Sequence, residues 1–463
     1  MGKRITKEEL EKFLKKHPDI QSIDMMIPDV NGVLRGKRVT IEGATKLYED
    51  GIRLPRSIYL MDTTGQNCEE TTSYGSSDGD PDLPCFGISD TLSIVPWAAE
   101  PRAQIMASMY DDNGEAFFGD PRKILQNAIQ PFTDMGLKPV VAVELEFYIL
   151  SNEQDANGRA KLAISNSMKR MQTTTQCYAL DELYEYDEFL ADIAEACRLQ
   201  GIPADTAVKE YAAGQYEINL NHCDDPLKAA DDAVMLKRII KNVALKHNYC
   251  ATFMAKPFEG EAGNGTHIHC SLVDEEGNNY FAGPIDPETN IPMNETLRHA
   301  IGGLRDTMPE AMLIFAPNAN SYRRLQSGSY APVNRAWGVD NRTVSLRIPH
   351  CDEKSVRVEH RVAGADANPY MVMAAVLAGI HHGLKNKCDP GPIEKGDAYL
   401  RGDGKYLPLY WQKAMEVFKA GTILPHYLDE HFHETYEQIR RAECLIFQRV
   451  IQPLEYEWYM RSV

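Results

Sequence analysis

Glu144 and Glu146 stand two residues apart inside an apolar run at 143–147. In a β-strand, residues i and i+2 share a face, so the two carboxylates project together while Val143, Leu145 and Phe147 face the other way. Like charges at that range repel unless a cation lies between them. Three further segments repeat the pattern. Residues 216–221 alternate apolar with polar and present Glu217, with Glu210 seven residues earlier across Ala212-Ala213-Gly214. Residues 266–272 align His267, His269 and Ser271, and residues 356–361 align Arg357, Glu359 and Arg361. A solvated sheet face accounts for one or two such strands. It accounts poorly for four, because solvated faces use Lys, Thr and Ser rather than repeated Glu and His.

If these strands are neighbours, Glu144, Glu146, Glu210, Glu217, Glu359 and His267 converge. A carboxylate-rich site with one imidazole suits a hard divalent ion, Mg²⁺ or Mn²⁺, better than zinc, and six ligands suffice for two ions. Paired ions of this kind point to phosphoryl transfer. Residues 320–361 add seven arginines and one lysine against four acids, an excess of +4 in a chain of net charge −18. Guanidinium forks bind carboxylate and phosphate bidentately, and Arg357 and Arg361 straddle Glu359. The chain has no GxxxxGK[ST] and no usable GxGxxG, so a nucleotide is not held by a P-loop or a Rossmann turn.

The scaffold that must position these groups is legible in outline. With 463 residues and 43% apolar content, the chain exceeds the size of a single core, and two domains are expected. Thr6 and Glu9 form a capping box, with Ile5 and Leu10 as a staple, so a helix runs to Lys16. Residues 22–28 and 33–39 flank Asn31-Gly32 as a hairpin. Residues 61–82 form a loop rich in Gly, Ser, Thr and acid, read as a solvated face or a ligand-facing loop. Asp120-Pro121 opens a helix that Pro131 is expected to break near Gln130. A domain boundary falls near residue 115. A polar loop at 151–178, an amphipathic helix at 183–200 ended by Gly201, a helix from Pro226 to about 247 and an apolar core helix at 368–384 follow. The charged N-terminus, the absence of a run of 18 apolar residues and ten cysteines without a CxxC pair predict a soluble, cytoplasmic protein with reduced thiols. The acidic balance disfavours nucleic acid as a partner.

Val-Glu-Leu-Glu-Phe, Glu210-x6-Glu217 with Gly214-Gln215, Gly263-Asn264-Gly265-Thr266-His267-Ile268-His269, Asn320-Ser321-Tyr322-Arg323-Arg324-Leu325, Asn341-Arg342, Arg347-Ile348-Pro349 and Glu359-His360-Arg361 occur in that order. In this the chain resembles the glutamine synthetase family, over nearly its whole length. The resemblance implies an α+β fold: a small β-grasp N-terminal domain (1–115) and a large catalytic domain (116–463) with a curved antiparallel sheet and surrounding helices. It implies hexameric or dodecameric rings, the N-terminal domain of one subunit closing the site of the next. It places Glu146, Glu210 and Glu217 on one metal and Glu144, His267 and Glu359 on the other. It places Arg342, Arg347, Lys354, Arg357, His269 and Ser271 at ATP, and Gly263, Arg324 and Arg361 at glutamate, with Arg342, Arg324 and His269 catalytic. The implied reaction joins the γ-carboxylate of glutamate to an amine through a γ-glutamyl phosphate, at the expense of ATP.

Two departures bear on the amine. Members of the family that use ammonium carry a glutamate just before Ala-Pro in the loop after Asn-Ser-Tyr-x-Arg-Leu; this chain has Tyr330 there. Their N-terminal Phe-Asp-Gly-Ser-Ser motif is replaced by Ile52-Arg53-Leu54-Pro55-Arg56-Ser57. Both anionic groups of the ammonium pocket are gone, which suits an amine with a carbon chain. Putrescine or another polyamine is favoured, with Glu69 and Glu70 of the acidic loop to receive the distant charge. A monoamine or ammonium is the alternative, and a non-catalytic ring-forming relative the remaining one.

Overall fold

The computed structural model describes residues 2–68, 79–400 and 406–463. Thr6 caps the first helix, Lys7–Lys16, in the expected capping box with Glu9, and the staple residues Ile5 and Leu10 are buried. Strands β1 (Ser22–Pro28) and β2 (Leu34–Thr40) form the hairpin around Asn31-Gly32. They join β3 (Ile52–Pro55), β4 (Asp82–Gly87), β5 (Ser93–Ile94) and β6 (Arg102–Met109) in a six-stranded mixed sheet. The parallel pairing of β1 with β6 beside the antiparallel hairpin is a β-grasp arrangement.

A nine-stranded sheet carries the candidate site. It comprises β7 (Lys138–Gln154), β8 (Ala160–Leu162), β9 (Ala204–Lys209), β10 (Gln215–Leu220), β11 (Tyr249–Thr252), β12 (Thr266–Val273) and three short strands at 337–339, 346–348 and 358–360. A separate hairpin, β13 (Ala282–Ile285) and β14 (Pro292–Met293), follows β12; the three short strands are then β15 (Trp337–Val339), β16 (Leu346–Ile348) and β17 (Val358–His360). The large sheet is antiparallel as expected, except that β15 and β16 pair in parallel. Its apolar face rests on the long helices Pro226–Lys246, Glu295–Phe315 and Pro369–Asn386, whose buried residues form one continuous core with Val143, Leu145, Phe147, Ile218 and Ile268.

Four local expectations change. The helix Pro121–Asp134 runs through Pro131, because a proline in the last turn removes one intrahelical hydrogen bond while the apolar face stays packed. β7 continues to Gln154 and pairs with β8 and β11, so part of the expected polar loop is strand. The expected helix at 183–200 is two helices, Leu180–Tyr184 and Asp187–Gln200. The carbonyl of Glu185 between them accepts from the Ser165 and Ser167 hydroxyls, and Tyr186 is buried. The strand expected over 356–361 is confined to Val358–His360, leaving Arg357 and Arg361 at its two ends.

Asn368 joins the two sheets' territories. Its Oδ1 accepts from the Tyr370 backbone N–H, capping Pro369–Asn386, and its Nδ2 donates to the carbonyls of Asp29 (3.1 Å) and Val30 (3.2 Å) in the hairpin. The side chain is buried, so its removal strands the Val30 carbonyl and the Tyr370 N–H, while the Asp29 carbonyl keeps its bond from the Gly32 N–H. Asn368→Ala should lower stability by about 2–3 kcal/mol, read as a lower denaturant midpoint at unchanged m; an unchanged midpoint would remove the cap from this role.

Candidate active site

Cross-strand register brings the predicted residues together. In the β7–β10 pair Glu146 lies opposite Glu217, and in the β7–β12 pair Glu144 lies opposite His267. His269 is opposite Glu359 on β17, and Glu359 is opposite Arg347 on β16. One polar face therefore carries, from β10 to β16, Glu217, Glu146 and Glu144, His267 and His269, Glu359 and Arg347.

Glu144 is the hinge of the hydrogen bonding. Its Oε2 is 2.9 Å from His267 Nδ1 and its Oε1 is 2.9 Å from His269 Nε2. Arg357 Nε donates to His269 Nδ1 at 3.1 Å. A guanidinium only donates, so Nδ1 accepts and the Nε2–H of His269 points at Glu144. Glu359 is bound by Arg361 Nη1 and by Arg347 Nη1 at 2.9 Å; Arg347 also reaches Asp340 at 3.1 Å. Glu146 accepts from the Gly265 backbone N–H at 2.7 Å and faces His267 Nε2 at 4.0 Å. A Cβ at Gly265 would stand 2.6 Å from Arg324 Nη2 and 3.2 Å from His267 Nε2. Glycine is the residue that lets the backbone approach both.

These carboxylates divide electrostatically. Burial works against the charge of Glu144 and Glu359, but the two imidazoles hold Glu144 far below the usual range, and Arg361 holds Glu359 down at about 2. Burial and the charge of Glu210 push Glu146 up to about 8. Burial and the charges of Glu144, Glu146 and Glu210 push Glu217 up to about 10. Glu210, on the turn between β9 and β10, is also raised, chiefly by burial. Burial and the Arg361 charge lower His267, which favours its neutral form. Donor atoms of Glu144, Glu217 and His267 lie within 4.8 Å of one another, as do those of Glu144, His269 and Glu359. The first grouping crosses the division implied by the family resemblance, the second keeps Glu144 with Glu359 and adds His269, and Glu144 is common to both. Carboxylates forced to share protons, beside the His267 imidazole, suit a hard divalent cation.

The cationic side of the site is also assembled. Arg324 is buried, with Nη1 donating to the Val362 carbonyl at 2.9 Å, and lies next to Gly265 and Gly263. Arg342 is exposed on the turn before β16, beside Tyr178 and within electrostatic reach of Glu359 and Glu210. Ser271 follows His269 on the same face of β12. Lys354 sits in an exposed turn, and among the described residues no hydrogen bond or ion pair joins its side chain to the carboxylate cluster. Tyr330 is 57% exposed and has a left-handed φ of +56°, in a loop whose Ala331 carbonyl accepts from Tyr399 Oη at 3.0 Å. Tyr399 lies within reach of Arg324, Arg361 and Tyr330. In the acidic loop, Asp62 caps the turn at Thr64 and Gln66 and Asp80 binds Ser57, so both serve local structure. Glu69 and Glu70 lie outside the described residues.

Two functional neighbours carried no assigned role in the sequence reading. Gln215 is buried, and its Nε2 reaches Glu146 (3.4 Å), the Gly263 carbonyl (3.1 Å) and Asn264 Oδ1 (3.2 Å). Its position two residues before Glu217 was the available signal, since period 2 puts both on one face. Tyr399 had no such signal, because its contact is made across 68 residues of chain.

The chain matches the family model for the glutamine synthetase catalytic domain over residues 118–459. It is 40% identical to γ-glutamylputrescine synthetase PuuA of Escherichia coli (strain K12), over 98% of this chain and 95% of that one. It is 34% identical to a glutamate–isopropylamine ligase of a Pseudomonas species, over 91% of each chain. It is 28% identical to a glutamine synthetase of Thermotoga maritima, over 99% of this chain and 98% of that one. A solved structure of a GmaS/ADP complex superposes with a TM-score of 0.84 at 25% identity, over 97% of this chain and 99% of that one.

The raised carboxylates set a pH dependence. In the native state without metal, Glu146 and Glu217 hold protons that the unfolded chain has shed at about pH 4.3, so the native state binds more protons and stability falls as pH rises. The fall begins above about pH 5 and continues through 8 for Glu146 and towards 10 for Glu217, with a slope of about 1.4 kcal/mol per pH unit per proton. Melting in EDTA from pH 6 to 9 should show the decline, and saturating Mg²⁺ or Mn²⁺ should flatten it. A flat EDTA profile would mean that the cluster is not charge-frustrated.

Proposed function

The chain belongs to the glutamine synthetase family, and from that premise we propose that it is the member that joins glutamate to a diamine, with putrescine or another polyamine as its amine. It is a carbon–nitrogen ligase of the ATP-dependent glutamate–amine type, and enzymes of this family use ATP and divalent metals. We assign the catalytic part to residues 116–463 and the β-grasp part to 1–115.

Glu144, Glu146, Glu210, Glu217, Glu359 and His267 would hold the ions, Mg²⁺ or Mn²⁺. Bound there, the ions supply charge neutralisation for the polyphosphate of ATP. The chain's own residues do the rest. Arg324, Arg361 and the Gly263 backbone hold glutamate, with Gln215 fixing the Gly263 carbonyl relative to Glu146. Arg342, Arg347 and Arg357 face the phosphates, and Arg357 also fixes the tautomer of His269. A γ-carboxylate oxygen of glutamate bonds to the γ-phosphorus of ATP as the bond to the β-phosphate oxygen breaks and ADP leaves. The neutral amine nitrogen then bonds to the acyl carbon of the γ-glutamyl phosphate, the bond from that carbon to the phosphate oxygen breaks, phosphate leaves and the nitrogen sheds one proton. Fixed guanidinium groups aimed at the transferring phosphoryl group stabilise the charge it develops.

Tyr330, in place of a carboxylate, carries the reading of the amine. A neutral phenol on an exposed, left-handed residue offers ammonium no counter-charge, whereas it can pack against a carbon chain. The 40% identity to a γ-glutamylputrescine synthetase supports the same substrate class. Phosphate release with ATP, Mg²⁺ and glutamate should be strong with putrescine or spermidine, weaker with a monoamine and near zero with ammonium. Ammonium as the best amine would overturn it. Glu69→Gln with Glu70→Gln should raise KM at least tenfold for the diamine and leave that of a monoamine within twofold; equal effects would remove the acidic loop from the pocket.

Self-association into rings of six, singly or stacked, is part of this proposal. The C-terminal helix Pro453–Tyr459 buries none of its residues and exposes Leu454, Tyr456, Trp458 and Tyr459, an apolar surface of the kind that subunits cover. A monomer at micromolar concentration in mass photometry would overturn it. We place the protein in the cytoplasm: all ten cysteines are free, as in a reducing compartment, and no described helix is long and apolar enough to cross a membrane. Secretion in a cell-fractionation assay would contradict this location.

A further inference from the structure

A cleft of about 670 Å³ opens between the turn of the β1–β2 hairpin and the helix Pro226–Lys246. None of the carboxylates or imidazoles of the active site lines it. Lys237 and Lys241, one helical turn apart, both line it, and their ammonium groups stand 5.5 and 5.6 Å from the ring centroid of Phe253, which also lines it. Among the described residues neither lysine has a carboxylate within ion-pairing distance. Lys237 Nζ donates to the Ala367 carbonyl at 3.0 Å, and Lys241 has no hydrogen-bond partner among the described residues. Asp366, also in the cleft, acts on Lys237 from beyond ion-pairing distance; in a chain with 67 acidic side chains against 49 basic ones, an adjacent pair of lysines without a contacting carboxylate still runs against composition. Like charges at i and i+4 destabilise a helix; burial lowers the amine of Lys237 to about 7, and the packing around the Lys241 amine lowers it in the same direction although the residue as a whole is exposed. An oxyanion between them would remove both costs at once.

The opposite wall leads to the active site. Asp366 lines the cleft, and its Oδ2 accepts from the Ser321 hydroxyl at 2.7 Å and from Asn318 Nδ2 at 2.8 Å. Asn320, also in the cleft, binds both the N–H and the carbonyl of Lys256 at 2.9 Å. Ser321 begins the one-turn helix Ser321–Arg324, whose last residue is the buried Arg324 next to Gly263 and Gly265. One short rigid segment therefore touches the cleft at one end and the candidate glutamate corner at the other.

We propose that this cleft is an effector site that takes a small molecule through a carboxylate or phosphate group held between Lys237 and Lys241, and that its occupancy is felt at Arg324 through Asp366 and Ser321. The binding half stands on the cleft alone; the coupling half rests on the reading of Arg324 as a glutamate-holding residue. The experiment uses the full-length oligomer with Mg²⁺, glutamate and a non-hydrolysable ATP analogue filling the active site. Inorganic phosphate and succinate are titrated in separate calorimetric arms into the unsubstituted protein and into Lys241→Met, a change at an exposed position. One saturable site per chain is expected for at least one anion, weakened at least tenfold in Lys241→Met, and the responding arm names the head group. No saturable binding in either arm, or equal binding by the variant, overturns the site. As a check independent of any variant, the bound anion should slow acetylation of Lys237, followed by mass spectrometry, at least threefold; an unchanged rate also overturns it. Under turnover, the anion should change KM for glutamate at least twofold in the unsubstituted protein and not in Lys241→Met. Binding without that change would leave the site standing and overturn the coupling, and failure of the ligase reading would leave the calorimetric result untouched.

Discussion

At the centre of the large sheet, Glu146 is held opposite Glu217, with Glu144 next along β7 and Glu210 at the adjacent turn. Nothing on the polar face favours this arrangement without a cation; the apolar face enforces it. Val143, Leu145, Phe147, Tyr216, Ile218 and Ile268 are all at most 4% exposed, each contributing about 1.5–3 kcal/mol. Holding Glu146 and Glu217 protonated near pH 7 costs about 3 kcal/mol each. Burial wins, and a slip of one residue in register would move the whole apolar set to the other face. The hydrophobic core thus stores an electrostatic conflict that a divalent ion resolves.

The conflict is graded across the sheet. Towards β10 burial and mutual repulsion outweigh the charges of Arg324, Arg361, Arg342 and Lys209, and the carboxylates are driven up. Towards β17 Glu144 shares two imidazoles and Glu359 is clasped by Arg347 and Arg361, so both stay charged. Arg357, Arg361 and Arg347 flank the polar face at the end where the proposed nucleotide phosphates lie. An ion held between the two regimes would bring one substrate's phosphates against the cationic end, while Arg324 and the Gly263–Gly265 backbone define the corner for the other. The close approach at Gly265 ties these parts together, since its N–H binds Glu146 and its missing Cβ leaves room for Arg324.

Period-2 spacing made most of this site legible before any fold was known. Glu144 and Glu146, His267 and His269, and Arg357, Glu359 and Arg361 each declare their shared face through alternation, and the alternation survives because one face of the sheet is buried. What alternation cannot show is which strands are neighbours and in which register. The convergence of the six candidate ligand residues therefore had to be assumed until β7 was seen between β10 and β12. Local rules failed where long-range contacts outweighed them. Pro131 was tolerated near a helix end, and the helix expected through Glu185 broke because distant serines took its carbonyl. The hold of Tyr399 on the Tyr330 loop and the pairing of Arg347 with Asp340 depend on tertiary placement that no local pattern encodes.

The amine end of the site is where the chain departs furthest from what ammonium requires. Ammonium offers only charge and four N–H donors, so a pocket selective for it needs a fixed anion. A carbon-chain amine brings apolar surface worth about 0.8 kcal/mol per buried methylene, and a diamine brings a second cation far from the reacting nitrogen. Replacing a loop carboxylate by Tyr330 removes the first kind of recognition and supplies the second. The loop's left-handed residue and its tether to Tyr399 fix where the phenol stands, and that tether runs beside Arg324 and Arg361. The residue proposed to read the amine is thereby anchored to the residues proposed to hold glutamate. On the proposed reading specificity is partly repulsive: the site would turn ammonium away by withholding a counter-charge, and would need only modest apolar contact to favour the longer substrate.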